Sequence, residues 1–434
     1  MWVLKASLPF LDRTNMNIIV QKYGGSSLAD TEKIRKAAER LARKREQGFD
    51  VVAVLSAMGK TTDELIAKAH ALTADPPARE MDMLVTTGEQ VSVSLMAIAL
   101  HAMNCRAVSL IAPQIGIYTD GLHTKAKIID IKTDRIVQAL KDSRVVLIAG
   151  FQGINENMEY TTLGRGGSDT SAVALAVKLE AETCEIFTDV EGVYTADPRI
   201  VPNARQLQAI SYDEMLELAS LGAGVMHSRS VELAKKHNVI INVRSSFSEN
   251  PGTFITKEDS CMEEILVRGA ALDTGEAKVT IKQVPDSPGM VATIFSTLAR
   301  QNINVDMIIQ NIGTEGVADV SFTVGENDVS AVKEISSSII ELTGAHSVGI
   351  DPDIAKVSVV GIGMRSHCGV AEKMFSVLGE AGINIDMIST SEIKISCVIN
   401  EKNGEEALRL IHTIFELDKP DNKGRGNEQK NIPS

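Results

Sequence analysis

The stretch Thr161-Thr162-Leu163-Gly164-Arg165-Gly166-Gly167-Ser168-Asp169-Thr170-Ser171 decides both fold and site. It follows an apolar run, Val145-Val146-Leu147-Ile148-Ala149-Gly150-Phe151, and a polar bend, Asn155-Glu156-Asn157. A second apolar run, Ser171–Glu180, comes next and has the character of a helix. Glycines, an arginine and an aspartate therefore stand between a strand and a helix start. Backbone N–H groups at a helix start attract anions. Glycine lets the main chain approach a ligand closely, and a guanidinium grips a carboxylate or phosphate through two parallel bonds. Two readings fit the stretch by itself: an anion-binding loop, or a glycine-rich turn whose Asp169 caps the helix.

Upstream, Asn17-Ile18-Ile19-Val20-Gln21 reads as a buried strand ending in the turn Lys22-Tyr23-Gly24-Gly25-Ser26-Ser27. Asp30 to Arg45 has the helical spacing Ile34, Ala37, Ala38, Leu41. Asp50–Ser56 is a second strand, followed by Ala57-Met58-Gly59-Lys60-Thr61-Thr62 and a helix from about Asp63. The same alternation recurs around Val108–Ile111, Val145–Ala149 and Glu185–Thr188. Strands alternating with helices predict a parallel sheet covered on both faces, with ligands beyond the carboxyl ends of its strands. Lys22 with Gly24-Gly25 is either a short phosphate cradle or a plain turn with a solvated lysine; the P-loop spacing is absent. Thr86-Thr87-Gly88-Glu89-Gln90 opens the apolar helix Val91–His101. Glu89 there is either a charge favoured by the helix dipole or the partner of a substrate ammonium. Thr188–Arg199 is a polar loop with an Asp-Pro turn, then come a helix, Tyr212–Ala219, and the strand Val239–Arg244. His227 reads as structural.

At 434 residues the chain exceeds one compact core. Aromatic content of 4% argues against stacking platforms for single-stranded nucleic acid, and the net charge of −13 against a broad nucleic-acid face. The cysteines (Cys105, Cys184, Cys261, Cys368, Cys397) are far apart and read as reduced thiols of a cytoplasmic protein. No histidine pair has zinc-ligand spacing. No apolar run is expected to reach membrane-spanning length.

The second half repeats. Ala277-Lys278-Val279-Thr280-Ile281 matches Ala355-Lys356-Val357-Ser358-Val359, and Ile303-Asn304-Val305-Asp306-Met307-Ile308 matches Ile383-Asn384-Ile385-Asp386-Met387-Ile388. Gly289 and Gly369 each open a helix; strands at Asp319–Val324 and Glu392–Ile399 and helices from Asp328 and Gly404 follow. The pattern is strand-helix-strand-strand-helix twice, two α+β modules suited to ligand sensing or dimerisation.

Together these stretches resemble the aspartokinases of the amino-acid kinase superfamily, from Met16 to about Asp418. The marks are Val20–Ser27, Ser56-Ala57-Met58-Gly59, Thr87-Gly88-Glu89, Leu163–Asp169 and Thr188–Arg199, with Asn384–Glu392 for tandem ACT domains. The resemblance implies an α/β, three-layer αβα kinase fold with a mainly parallel sheet, followed by two ferredoxin-like ACT domains. It implies an extension at 1–15, a catalytic domain at 16–257, ACT domains at 258–418 and a disordered tail at 419–434. The first module, about 276–350, would be inserted in the second, about 262–275 plus 351–418, through a spare strand at Glu264–Leu272.

The implied reaction transfers the ATP γ-phosphoryl to the β-carboxylate of L-aspartate, with Mg²⁺ held mainly by phosphate oxygens. Lys22 would neutralise the transferring phosphoryl, with Gly24, Gly25 and Ser26 lining the phosphates and Asp169 orienting the cations. Arg165 would hold a substrate carboxylate and Glu89 its ammonium, with Ser56, Thr62, Gly166 and Ser168 completing the aspartate site. Thr188, Asp189, Tyr194 and Arg199 would form the nucleotide wall. Lysine, threonine or both would act as effectors on Asp286, Gly289, Val291, Asp306 and Gln310 of one module and Asn384, Ile385, Ser391 and Glu392 of the other. A homodimer through the ACT domains, or a regulatory subunit started internally at Met262, is implied; nucleic acid and membrane are not. Relatives carry a lysine where this chain has Gly224, which makes Arg229 a candidate replacement charge. Cys368 stands where relatives have proline. Acetylglutamate or glutamate kinase and a silent amino-acid sensor are the rivals. Glu89 speaks for a free amino group, and Lys22, Arg165 and Asp169 for catalysis.

Overall fold

The computed structural model describes residues 16–221, 225–257, 267–312, 316–362, 364 and 369–419. The 1–15 extension, Gly224, the boundary at 258–260, Cys261, Met262, the start of the spare strand, Cys368 and the tail beyond 419 lie outside the described residues. The chain divides into two compact units. One is Met1–Val193, Leu207–Met215 and Val225–Asp259; the other is Tyr194–Gln206, Leu216–Gly224 and Ser260–Ser434.

The first unit begins with β1 (Ile18–Tyr23), a tight turn at Gly25–Leu28, α1 (Thr31–Glu46), β2 (Asp50–Leu55), α2 (Thr61–His70), α3 (Ala78–Val85) and α4 (Thr87–Ala102). It continues with β3 (Ala107–Leu110), α5 (Ala112–Ile115), β4 (Ile117–Thr119), β5 (Ile128–Ile131), α6 (Asp134–Lys141), β6 (Val145–Ala149), β7 (Gln152–Ile154) and β8 (Tyr160–Thr162). Then come α7 (Gly167–Leu179), β9 (Thr183–Thr188), β10 (Ala209–Ser211), α8 (Tyr212–Ser220, whose residues from Leu216 on belong to the second unit), α9 (Ser228–His237), β11 (Ile241–Ser245) and β12 (Thr253–Thr256).

The main sheet has the order β10-β12-β11-β9-β1-β2-β6-β3 and is parallel except between β11 and β12. Its central strands β2 and β6 are almost wholly apolar because helices cover both faces, while β1 and β9 also bury the hydrogen-bonded pair Gln21 and Glu185. Ile19, Val51, Ala53, Leu55, Leu147 and Ala149 face a core shared with Ile34, Ala38 and Leu41 of α1 and Val93, Met96 and Leu100 of α4. Period-two alternation sends Val20 and Lys22 to the opposite face. There α7 packs against β1, β2, β9 and α9. That helix is buried nearly all round, which explains its unbroken run of small and apolar residues.

A second, four-stranded sheet, β5-β4-β7-β8, was not visible in the sequence pattern. Its strands are three or four residues long, too short for alternation to register. Helices also begin earlier than periodicity predicts: α2 at Thr61 and α4 at Thr87. The expectation about membrane-spanning length is corrected: the helical stretch Ala78–Ala102 is long and apolar enough by length and composition. It buries Asp82 and Glu89 inside the unit, as a core helix does.

The second unit holds β13 (Gly269–Asp273), β14 (Glu276–Pro285), α10 (Met290–Arg300), β15 (Val305–Ile312), β16 (Val317–Gly325), α11 (Val329–Thr343) and β17 (Ser347–Asp351). It ends with β18 (Ile354–Val360), α12 (Gly369–Glu380), β19 (Met387–Thr390), β20 (Lys394–Asn400) and α13 (Gly404–Ile414). The sheets are β15-β16-β14-β17 and β13-β18-β20-β19, each with its own core against two helices. Strand β13, which precedes the first repeat, pairs antiparallel with β18 of the second.

Met307 and Ile309 of one sheet meet Ile354, Met387 and Val398 of the other. Around this contact the repeat generates reciprocal ion pairs. Lys356 of the second module reaches Asp306 of the first at 2.7 Å and Glu276 at 2.5 Å. Lys278, its counterpart in the first module, pairs with Asp386 of the second. Residues Tyr194–Gln206 pack in this unit as a strap. Ala196 and Val201 join the core of Val357, Leu408 and Ile411, and the Thr195 hydroxyl lies 3.0 Å from Nε2 of buried His412.

Candidate active site

Parallel strands end together, so their loops meet at one edge. Tyr23 and Leu55 are paired across β1 and β2, and Ser56 N–H donates to the Tyr23 carbonyl at 3.1 Å. Gly24 N–H donates to the Phe187 carbonyl at 3.2 Å, which sets the glycine turn beside Thr188. A Cβ on Gly25 would lie 2.9 Å from the carbonyls of Ala57 and Gly59, so only glycine lets these two loops approach. Lys22, next to last in β1, points to the face covered by α7. Its Nζ meets Asp169 Oδ1 at 2.6 Å, both side chains 12% exposed. Asp169 sits inside the first turn of α7, whose N-cap is Gly166. The helix-cap reading of Asp169 is thereby replaced by an ion pair across the strand–helix junction.

Glu89 stands in the first turn of α4 and is 3% exposed. A Cβ on Gly88 would lie 2.8 Å from that of Ala57, so the helix start is pressed onto the loop after β2. Oε1 accepts the Ala57 N–H at 3.1 Å, whereas Oε2 is buried without a hydrogen bond. Burial pushes the carboxyl up to about 7, against the pull of main-chain N–H groups including that of Ala57. Such an atom is a natural seat for a cation. Ser56 is half-buried in the same loop, and Thr62 is half-buried in the first turn of α2.

Arg165 is exposed and makes no hydrogen bond or ion pair among the described residues. Its neighbours Gly164 (φ +76) and Gly166 (φ +68) adopt the left-handed conformation, and a Cβ on Gly166 would strike His227 at 2.3 Å. Ser168 is buried against Gly150, where any side chain would collide with its Oγ at 2.9 Å. Lys22, Gly24, Gly25, Ser56, Glu89, Ser168 and Asp169 are thus linked through one set of strand ends and helix starts, with Ser26 exposed in the adjoining turn. Thr188 ends β9 and donates to Asp189 at 3.2 Å. Tyr194 and Arg199 fall in the other unit, where Arg199 pairs with Asp197 at 2.6 Å.

Arg229 does not supply a free charge. It donates to the carbonyls of Leu163 and Ala126, each at 2.8 Å. In the second unit, Gly289 (φ +99) caps α10, and Asp286 N–H donates to the Gly316 carbonyl at 2.8 Å. Val291 is half-buried and Gln310 exposed. Asn384 donates to Asp386 at 3.2 Å, Ile385 is half-buried, and Ser391 Oγ accepts from Ile393 and Lys394. The Glu392 carbonyl accepts from Met364 at 3.0 Å. Asp306, expected to meet an effector ammonium, is paired with Lys356 at 2.7 Å.

The amino acid kinase family matches residues 17–244, and ACT domains match residues 279–336 and 357–415. An aspartate kinase from Pseudomonas putida is 49% identical over 410 residues, covering 94% of this chain and 100% of that protein. The crystal structure of aspartate kinase from Synechocystis is 41% identical, covers 96% of this chain and 71% of that one, and superposes with a TM-score of 0.52. That of E. coli aspartokinase III in complex with aspartate and ADP is 25% identical, covers 92% and 99%, and has a TM-score of 0.78. The chain belongs to the aspartate kinases. Within this kinase, sequence reading missed Asp82. It is fully buried in α3 and accepts from Thr162 Oγ1 at 2.6 Å and Thr124 N–H at 3.0 Å, with His123 Nδ1 at 2.8 Å. An aspartate on an amphipathic helix ordinarily reads as solvated; only the fold buries it.

Proposed function

We propose that the strand-end residues divide the work of one reaction: transfer of the γ-phosphoryl of ATP to the β-carboxylate of L-aspartate, giving 4-phospho-L-aspartate. The transfer needs in-line positioning and positive charge on the spreading phosphoryl oxygens. Lys22 supplies that charge, steered by Asp169, while Gly24, Gly25 and Ser26 offer main-chain N–H groups to the phosphates. Arg165 takes a carboxylate of aspartate and Glu89 its ammonium, with Ser56, Thr62, Gly166 and Ser168 around them. Thr188 and Asp189, at the end of β9, line the nucleotide. No cluster of metal-ligating side chains occurs among the described residues. On this reading Mg²⁺ arrives with the nucleotide, held by phosphate oxygens and water.

The observation carrying this reading is the Lys22–Asp169 pair beside a glycine turn, with a buried, unpaired Glu89 oxygen at the adjoining start of α4. Lysine and threonine are the proposed effectors, acting on the ACT residues named above in a cytoplasmic enzyme. E. coli aspartokinase III has been crystallised with lysine and aspartate. The pairing of β13 with β18 supports insertion of the first module in the second. Edge strands β15 and β19, with Ile308 and Ile388 exposed, support a homodimer through the ACT domains or docking of a regulatory subunit started at Met262. ATP and aspartate with hydroxylamine trapping should yield the acyl hydroxamate, suppressed when lysine and threonine are added singly or jointly. No hydroxamate sinks the catalytic reading; full activity with both amino acids sinks the effector reading.

A further inference from the structure

The loop carrying Arg165 is held at almost every residue except Arg165 itself. Thr161 Oγ1 shares a hydrogen bond with Thr119 Oγ1 at 2.7 Å. The Thr162 hydroxyl donates to Asp82, and its carbonyl accepts the Ala126 N–H at 2.9 Å. Leu163 N–H donates to the Phe151 carbonyl at 2.9 Å, and its own carbonyl accepts Arg229 Nη1. Gly164 packs on the Thr124 carbonyl, and Gly166 on His227. Arg229 and His227 stand at the start of α9, so one helix end touches the loop on both sides of Arg165.

The two charged members complement each other. The Arg229 fork spans the carbonyls of Leu163 and Ala126, tying the loop to the turn after Thr124. Asp82 also binds these two segments, through Thr162 Oγ1 and Thr124 N–H. A buried carboxylate and a half-buried guanidinium satisfied by these neutral partners hold a geometry that apolar side chains would not specify.

We propose that Arg229, backed by Asp82, is a positioning residue that sets the Arg165 guanidinium for aspartate. It touches neither substrate. The proposal rests on the reading that Arg165 holds the aspartate carboxylate.

Steady-state kinetics of the full-length enzyme test it. Arg229→Ala is expected to raise KM for aspartate by roughly tenfold or more, with KM for ATP changed by less than about twofold. Methylguanidinium added to that variant should lower the aspartate KM again. Removing a half-buried arginine also loosens packing, so Thr162→Val is the companion variant. It deletes one hydroxyl at nearly constant shape and should raise the same KM several-fold. An aspartate KM near the wild-type value in both variants, or parallel rises in both KM values, overturns the clamp. Arg165→Ala separates the two claims. If it leaves the aspartate KM unchanged, the reading of Arg165 fails and takes the clamp with it. If it raises that KM and the clamp variants do not, the clamp alone falls.

Discussion

Lys22 and Glu89 show opposite ways of placing charge at one edge. Lys22 is paired with Asp169 at 2.6 Å, which fixes its ammonium; in the proposed reaction that ammonium meets the developing phosphoryl charge. Lys22→Ala removes the clamp and leaves Asp169 without its partner. Turnover should fall by at least about 10²–10³-fold, the scale of losing one preorganised donor. A variant that keeps near-normal kcat would refute the role. Glu89 is buried with one oxygen unpartnered, and burial pushes its carboxyl from 4.5 up to about 7. Its contribution to stability is complete below 4.5 and is lost as pH rises through 7, a loss on the order of 3 kcal/mol. Substrate-free Glu89→Gln should therefore melt higher than wild type at pH 8 and bind aspartate worse. In the wild type, kcat/KM for aspartate should climb with pH through about 7; the variant should lose that limb. Both residues were legible from their place after an apolar strand and at a helix start. Which face Lys22 takes, and that one Glu89 oxygen lacks a partner, needed the packing.

At the scale of elements, the ACT modules are locked by their own repetition. Asp306 and Asp386 recur in the sequence, as do Lys278 and Lys356. Folding makes each lysine answer the other module's aspartate. Burial works against the charge on Lys356, but Glu276 and Asp306 more than offset it and hold its pKa above the usual lysine value. Lys356 also draws the Asp306 carboxyl below its usual range, against the effect of burial. Lys356→Met would leave Glu276, Asp306 and Asp273 facing one another, a destabilisation of about 3 kcal/mol. The pair's contribution is present above the usual carboxylate range and lost as pH falls through the depressed value of Asp306. Urea titrations of the full chain should thus show the variant's deficit at pH 7 and its shrinkage in acid. A deficit independent of pH would mean that lost packing, not charge, is responsible. The repeat was readable by matching segments; the reciprocity was not, because sequence does not say which faces of two sheets meet. The small sheet β5-β4-β7-β8 escaped for a different reason. Strands as short as Ile117–Thr119 leave too few residues for a period of two, yet this sheet aims the Arg165 loop.

For the whole molecule, the order of motifs mirrors the order of strand ends: Lys22 next to last in β1, Ser56 after β2, Ser168 and Asp169 beyond β6, Thr188 closing β9. That succession was legible because each motif follows an apolar run. Asp82 and Arg229 were not, since their partners lie 80 and 66 residues away along the chain.

The strap Tyr194–Gln206 sets a limit on how such a chain can be rebuilt. Its Ala196 and Val201 are buried with Val357 and Leu408, although they sit in sequence among kinase motifs. A scissor-cut near residue 258 would divide the text of the gene without dividing the cores. The upstream piece would carry apolar side chains into water, and the downstream piece would have a hollow where they belong, Val201 alone representing on the order of 2 kcal/mol. Exchange of sensor halves between relatives by recombination therefore has to move this hairpin as well, although it is encoded inside the neighbouring half.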